Sequence, residues 1–298
     1  MSDPFQFDGR VAVITGAASG FGRAFAEEAA ALGMKVVLAD VEKPHLDEAV
    51  AALRASGAEA IGVPTDVSDS KAVEALAQAA VDAFGRVHLL FNNAGVGGTG
   101  GFIWESSAKD WDWAFGVNVF GVMNGIRAFT PGMLAHGERA HIVNTASVAG
   151  LVSPPAMGVY NASKHAVVAL TETLYHDLKS ANAAVGCSVL CPAFVATGIS
   201  NSQRNRPAEL QNDAPPTRSQ QAANLRLQRA VNSGRQTAAD VARKTFEAVR
   251  EGHFYVLTHP GILPSVKLRH QDIEALREPT DPMSLKPEVK PETSEERN

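Results

Sequence analysis

Short runs rich in valine, isoleucine and leucine recur along the chain, separated by alanine-rich stretches whose apolar positions return every three or four residues. The runs at 11–15, 35–39, 60–64, 87–92, 141–145, 186–191 and 254–257 predict strands. Their near-continuous apolar character predicts burial on both faces. The stretches at 23–32, 45–56, 70–84, 107–116 (continuing past Asn118) and 159–181 predict helices. Such alternation predicts an α/β fold, a parallel sheet covered by helices on both sides. It runs unbroken to about residue 257, so one domain over residues 1–270 is expected, without a linker.

Two segments break the pattern. Residues 198–236 are polar and rich in Asn, Gln and Arg, with Pro207, Pro215 and Pro216. A long segment at this place in an α/β chain commonly covers the substrate, so it is expected to be a lid. Residues 271–298 form a charged, proline-rich tail, expected to be mobile from Pro279 onward. Its glutamates, Glu288, Glu292, Glu295 and Glu296, suggest no function.

Composition narrows the classes. A chain of 298 residues, 45% hydrophobic and 20% charged, has the makings of a substantial globular core. The net charge of −5 weighs against a nucleic-acid partner. No apolar run is long enough to cross a bilayer, and Met1-Ser2-Asp3-Pro4 lacks the start of a secretory signal, so a cytoplasmic protein without a membrane partner is expected. Cys187 and Cys191 fall on one face of a predicted strand, too far apart for easy bridging, and are expected to be buried thiols in a reducing compartment. The nine histidines show no metal-ligand spacing, so no metal is expected.

The first strand leads into Thr15-Gly16-Ala17-Ala18-Ser19-Gly20-Phe21-Gly22 and then a helix. Glycines there allow a tight turn and close approach to a pyrophosphate, and the helix start offers unpaired N–H groups to the anion. Asp40 follows the second strand. A carboxylate at that place accepts from adenosine ribose hydroxyls and repels a 2′-phosphate, which favours NAD over NADP; Arg23 is the one cation that speaks against this.

Further on, Ser147 precedes Tyr160 and Lys164. On a helix, positions 160 and 164 share a face, so the ammonium is expected to lower the phenol pKa from about 10 toward the working pH. A phenol so tuned is a general acid/base for alcohol–ketone interconversion, with Ser147 holding the substrate oxygen. Taken alone, a Tyr-x-x-x-Lys pair is usually a packed ring beside a solvated amine. It gains weight from the glycine turn upstream.

Taken in order, Thr15 to Gly22, Asp66-Val67, Asn92-Asn93-Ala94-Gly95, Asn118, Ser147, Tyr160 with Lys164, and Pro192 to Thr197 resemble the short-chain dehydrogenase/reductase family over roughly residues 8–260. The resemblance implies a single Rossmann-like domain with seven parallel strands and a nicotinamide cofactor. By position it implies that Asp66 and Val67 border the adenine and that Asn92 fixes the fourth strand. Asn93, Ala94 and Gly95 would pass the ribose, and Pro192, Val195 and Thr197 would lie under the nicotinamide. Asn118 would maintain a water relay to Lys164. Ala193 departs from the glycine frequent in the family and could tilt its loop. A homo-oligomer, tetramer or dimer, is also implied, with the 159–181 helix in its interface; Leu170, Leu174 and Leu178 could supply that contact or equally face the protomer's own sheet.

The substrate is less legible. The loop from Val96 to Gly101 is expected at the mouth of the site, mobile, with Phe102, Trp104 and Phe194 as candidates for an apolar pocket. Six arginines at 204, 206, 218, 226, 229 and 235, against Glu209 and Asp213, leave an anionic substrate open. The expected substrate is a fairly large hydrophobic or aromatic secondary alcohol, or its ketone. The rival readings are a cofactor-sensing protein of the same fold without chemistry, and a methyltransferase, which would give Tyr160 and Lys164 no role.

Overall fold

The computed structural model describes residues 4–285. Strands β1 (Val11–Thr15), β2 (Lys35–Asp40), β3 (Ala60–Pro64), β4 (Leu89–Asn92), β5 (Ala140–Thr145), β6 (Val185–Leu190) and β7 (Tyr255–Val256) form one parallel sheet in the order β3-β2-β1-β4-β5-β6-β7. This is the doubly wound, Rossmann-like sheet of seven strands. The last strand is shorter than expected, because β7 pairs at Tyr255 and Val256 alone.

The apolar runs work as their pattern demands. In β1, Ala12 and Ile14 face one helical layer while Val11 and Val13 face the other, and all are at most 2% exposed. Helices α1 (Gly20–Ala31), α2 (Lys43–Ala55) and α8 (Ala238–Glu251) cover the first face through Phe25, Leu46 and Phe246. Helices α3 (Ser70–Phe84), α5 (Gly121–His136) and α6 (Gly158–Ser180) cover the second through Leu76, Met133 and Leu174. Full burial of such a side chain contributes roughly 1.5–3 kcal/mol. Leu174 and Leu178 belong to this core and Leu170 is half-buried, so of the two roles open to that stripe it takes the internal one. Cys187 and Cys191 are free and buried, and burial raises both thiols to about 12.

The expected helix through Asn118 forms in three parts: α4 (Ala108–Phe115), one wide turn at Gly116–Phe120, and α5. The expected lid contains helix α7 (Arg218–Asn232), and α8 follows it. Neither was legible as a helix, although Thr217/Gln220 and Thr237/Asp240 form capping boxes at their starts. Helix α9 (Leu263–Glu274) crosses the expected boundary at residue 270. Residues 279–285, expected to be mobile, are tied back: the Asp272 carboxylate accepts from Thr280 N–H at 2.9 Å, and Ser265 Oγ donates to Pro282 O at 2.8 Å. The rest of the tail, with its four glutamates, lies outside the described residues. No helix among the described residues is long and apolar enough to cross a membrane.

Candidate active site

The sheet order reverses between β1 and β4, and ligands of open α/β sheets sit at the carboxyl ends of strands at such a switch point. The two loops that leave these strands meet there. A Cβ on Gly16 would lie 2.9 Å from Ala94 Cα, and one on Gly22 only 2.0 Å from Gly16 O, so both positions exclude a side chain. Thr15 Oγ1 donates to Phe91 O and accepts from Asn93 N–H at 2.9 Å and Ala94 N–H at 3.1 Å. Asn93 Nδ2 donates to Thr15 O at 2.9 Å. Thus Thr15 and Gly22 act behind the cleft, holding its two walls together.

A cavity of about 560 Å³ opens above this junction. At one end it is lined by Gly16, Ser19, Gly20, Phe21, Asp40, Asp66 and Val67, all expected from the sequence. Ser19 makes no side-chain cap on α1, unlike the capping residues of α3, α4, α7 and α8. The first-turn N–H groups of α1 are therefore left for a ligand, and with the glycine cradle they fit a pyrophosphate. Asp40 is 8% exposed; its Oδ2 accepts from Ala18 N–H and its Oδ1 from Glu42 N–H, which fixes the carboxylate toward the cleft. Asn93, Ala94 and Gly95 continue the lining, and Pro192, Phe194, Val195 and Thr197 form its other side.

Ser147, Tyr160 and Lys164 line the same cavity. Ser147 lies two residues past the end of β5, at the start of the short turn Val148–Gly150; it accepts from Ala149 N–H at 3.1 Å while donating to Pro192 O at 3.3 Å. Lys164, 3% exposed, donates to Thr145 O at 2.9 Å and lies 5.7 Å from the Tyr160 ring centre. Asn118 sits in the wide turn and does not line the cavity. Its Oδ1 accepts from Val96 N–H, and its Nδ2 donates to Val96 O and Ser163 Oγ. A Cβ on Gly95 would come within 3.4 Å of Asn118 Oδ1 and 3.5 Å of Lys164 Nζ, so the two side chains flank the same stretch of backbone. One-turn widenings of this kind are frequent at functional sites.

The electrostatics differ from the expected. Burial pushes the Tyr160 phenol up to about 12, although a hydrogen bond with Ser147 opposes it. Burial also lowers Lys164 to about 8. The expected lowering of the phenol by its neighbour is absent from the protein alone: desolvation is the largest cause of both shifts, and Lys164 is not among the causes acting on Tyr160.

Beyond Tyr160 the walls turn apolar, with Val152, Met157, Phe194, Leu210, Leu227 and Met283 among them. Phe102 and Trp104 do not contribute: they stack on each other, 49% and 77% exposed, outside the cavity. The loop between them and Val96 is anchored, since Gly97 N–H donates to Ser202 Oγ and Gly101 N–H to Ala156 O. Nor do the arginines make an anion site. Arg206 is buried against Asp110 at 2.8 Å, and Arg204 pairs with Glu42 at 2.7 Å; Arg218, Arg226, Arg229 and Arg235 are exposed and away from the lining. Ala193 has no positive φ, so alanine fits its loop without strain.

Sequence reasoning missed Glu42, Asn205 and the C-terminal wall, and named Arg204 only as one of six arginines that could favour an anionic substrate. Glu42 accepts from both Arg204 and Asn205, clasping the lid across the adenosine end of the cleft. Burial raises the Glu42 pKa, but the hydrogen bonds from Asn205 and Arg204 outweigh it and hold the carboxyl below its ordinary range. No local sequence signal joins positions 162 residues apart.

Comparison with known proteins accords with this geometry. The family described as short chain dehydrogenase matches residues 10–208. A CLA biosynthesis dehydrogenase/reductase of Lactiplantibacillus plantarum is 35% identical over 266 residues, 89% of this chain and 93% of the relative. A C alpha-dehydrogenase of Sphingobium sp. is 37% identical over 205 residues, 68% of this chain and 66% of the relative. A crystal structure of a short chain dehydrogenase/reductase from Burkholderia phymatum in complex with NAD superposes with a TM-score of 0.93 at 68% identity, covering 94% of this chain and 100% of that one. The chain is thus an oxidoreductase acting on CH–OH groups, and it belongs to the short-chain dehydrogenase/reductase family.

Proposed function

We propose that the protein interconverts a secondary alcohol and a ketone with NAD as the hydride carrier, on a large, apolar and uncharged substrate. The observation that carries this reading is the convergence of Ser147, Tyr160 and Lys164 in one cavity with the glycine turn and Asp40. The bound nicotinamide supplies the hydride-accepting carbon. Tyr160 takes the hydroxyl proton in oxidation and returns it in reduction. Ser147 positions the reacting oxygen and stabilises charge that develops on it. Lys164 binds the nicotinamide ribose and stands beside the phenol, while Asn118 holds the Val96 backbone beside it and keeps the proton relay in place. In the protein alone the phenol carries its proton, the state that ketone reduction requires.

Asp66 and Val67 border the adenine in this reading, and Pro192, Val195 and Thr197 support the nicotinamide. The preference for NAD rests on Asp40 and on two arginines that are already engaged: Arg23 pairs with Glu27, and Arg204 with Glu42. The 68% identity to a chain solved with NAD supports it. Asp40→Ala is expected to raise the ratio of kcat/KM with NADP to that with NAD by about tenfold or more, by removing the charge that opposes a 2′-phosphate. An unchanged ratio would remove Asp40 from the discrimination.

An uncharged substrate follows from the lining. Among the described residues, its lysine and arginine side chains are Lys164 and Arg204, one at the reaction centre and one held by Glu42. A panel of secondary alcohols with NAD⁺, followed at the nicotinamide absorbance, tests the whole reading. Turnover confined to members that carry a carboxylate would refute the uncharged substrate, and no turnover with any member would refute the reaction.

A further inference from the structure

The cavity that contains Tyr160 ends against a part of the chain far beyond the family match. Pro282, Met283 and Leu285 line it, together with Ile262 and Ser265 from the start of α9 and the turn before it. These residues come from a strap that leaves α9, reverses direction and returns over the cavity. The reversal is built rather than incidental. Asp272 is 5% exposed, and its two oxygens are both engaged, Oδ1 by Arg277 at 2.9 Å and Oδ2 by the Thr280 N–H at 2.9 Å. Ser265, 6% exposed, donates to Pro282 O at 2.8 Å. Met283 N–H then donates to Asp281 Oδ1 at 2.9 Å, which closes the next turn. Two buried polar side chains thus exist to hold a short apolar segment in place. Met283 and Leu285, 57% and 41% exposed, are the apolar side chains that this segment contributes to the cavity lining.

Resting on the reaction proposed above, we infer that the strap from Thr280 to Leu285 is the specificity-determining end wall of the substrate chamber. Its substrate class is an alcohol or ketone with a long uncharged hydrocarbon tail, whose far end packs on Met283 and Leu285. Asp272 is a positioning residue: it touches no substrate and acts by holding Thr280. A tail that reaches the wall leaves water on binding, and each buried methylene adds to affinity, whereas a short alcohol leaves this end wet. A flexible methionine suits a wall that must fit apolar tails of varied shape.

The test uses the full chain with butan-2-ol, octan-2-ol and dodecan-2-ol. The wild type should prefer the longer alcohols in kcat/KM. Met283→Ala/Leu285→Ala should lower the dodecan-2-ol to butan-2-ol ratio by about tenfold, because truncated walls bury less tail. Met283→Trp should move the preferred length toward octan-2-ol by filling the end of the chamber. Asp272→Ala should lower the same ratio, and Asp272→Asn should recover part of it. Binding of the same alcohols to the Tyr160→Phe protein loaded with NAD⁺, followed by calorimetry, reads tail length without chemistry. A ratio unmoved in the wall variants, or a wild type without length preference in either assay, would overturn the wall. Length-dependent binding without turnover of any alcohol by the wild type would leave the wall standing and refute the reaction instead.

Discussion

Tyr160→Phe is expected to lower kcat by roughly 10³–10⁴-fold, the upper part of the range for loss of a positioned acid/base group. The ring of Tyr160 lies within 5.7 Å of Lys164 Nζ and lines the same cavity as the cofactor turn, and phenylalanine retains that ring. NAD binding should therefore stay within about twofold of the wild type, since the glycine turn and Asp40 are untouched. The kinetic measurement is kcat with a saturating alcohol, and the control is NAD titration of the same sample. Residual activity within tenfold of the wild type would assign the proton to another group.

The largest stability effect is expected at Arg206. Its guanidinium and the Asp110 carboxylate are 2% and 0% exposed, joined at 2.8 Å, and Arg206 also lies 5.1 Å from the Trp113 ring centre. Thr99 Oγ1 and Asn212 Nδ2 donate to the same Asp110 oxygen, so the pair ties together the mouth loop, α4 and the lid. Burial raises the Asp110 pKa, but hydrogen bonds from Thr99, Ser107, Asn212 and Arg206 outweigh it and hold the carboxyl below its ordinary value. Arg206→Ala leaves that carboxylate buried without its cation, at a cost of about 3 kcal/mol. For a domain of this size that corresponds to a fall in Tm of about 5 °C. Because the folded pKa is depressed, the contribution is present above the unfolded pKa and is lost as pH falls through the lower, folded value. Differential scanning calorimetry near neutral pH checks the first statement; a Tm within about a degree of the wild type would show the pair to be worth no more than a surface contact.

What the chain disclosed in advance follows the range of the forces involved. The strands and the helices of the first two hundred residues were legible because burial on two faces leaves unbroken apolar runs, as in Val11 to Thr15. The glycine turn and the order from Ser147 to Lys164 were legible because backbone approach and helical phase are local. Helix α7 was not, because its exposed face is polar and Leu227 and Val231 are too few to mark a stripe. The strap was not, because its composition is that of a solvated tail and its order comes from Asp272 and Ser265, on a different element. The pKa of Tyr160 depends on how completely the fold excludes water there, which residue spacing does not express. The exposure of Trp104 has the same origin: an aromatic beside a glycine loop points either way until its neighbours are placed.

The bare start of α1 has a consequence for how the protein holds together. Helices α3, α4, α7 and α8 each start with a capping side chain, whereas α1, like α2, α6 and α9, has none, and its first turn is the uncapped one that lines the cleft beside the glycine turn. On the proposed function, a dinucleotide bound there would supply partners for the N–H donors of that turn, and local order at this end would become a function of its concentration. Amide exchange at residues 20–22 should slow on addition of NAD while the interior of β1 changes little, with equal slowing at both places pointing to global stabilisation instead. On the same reading, the first turn of α1 would be held more loosely wherever the dinucleotide is scarce.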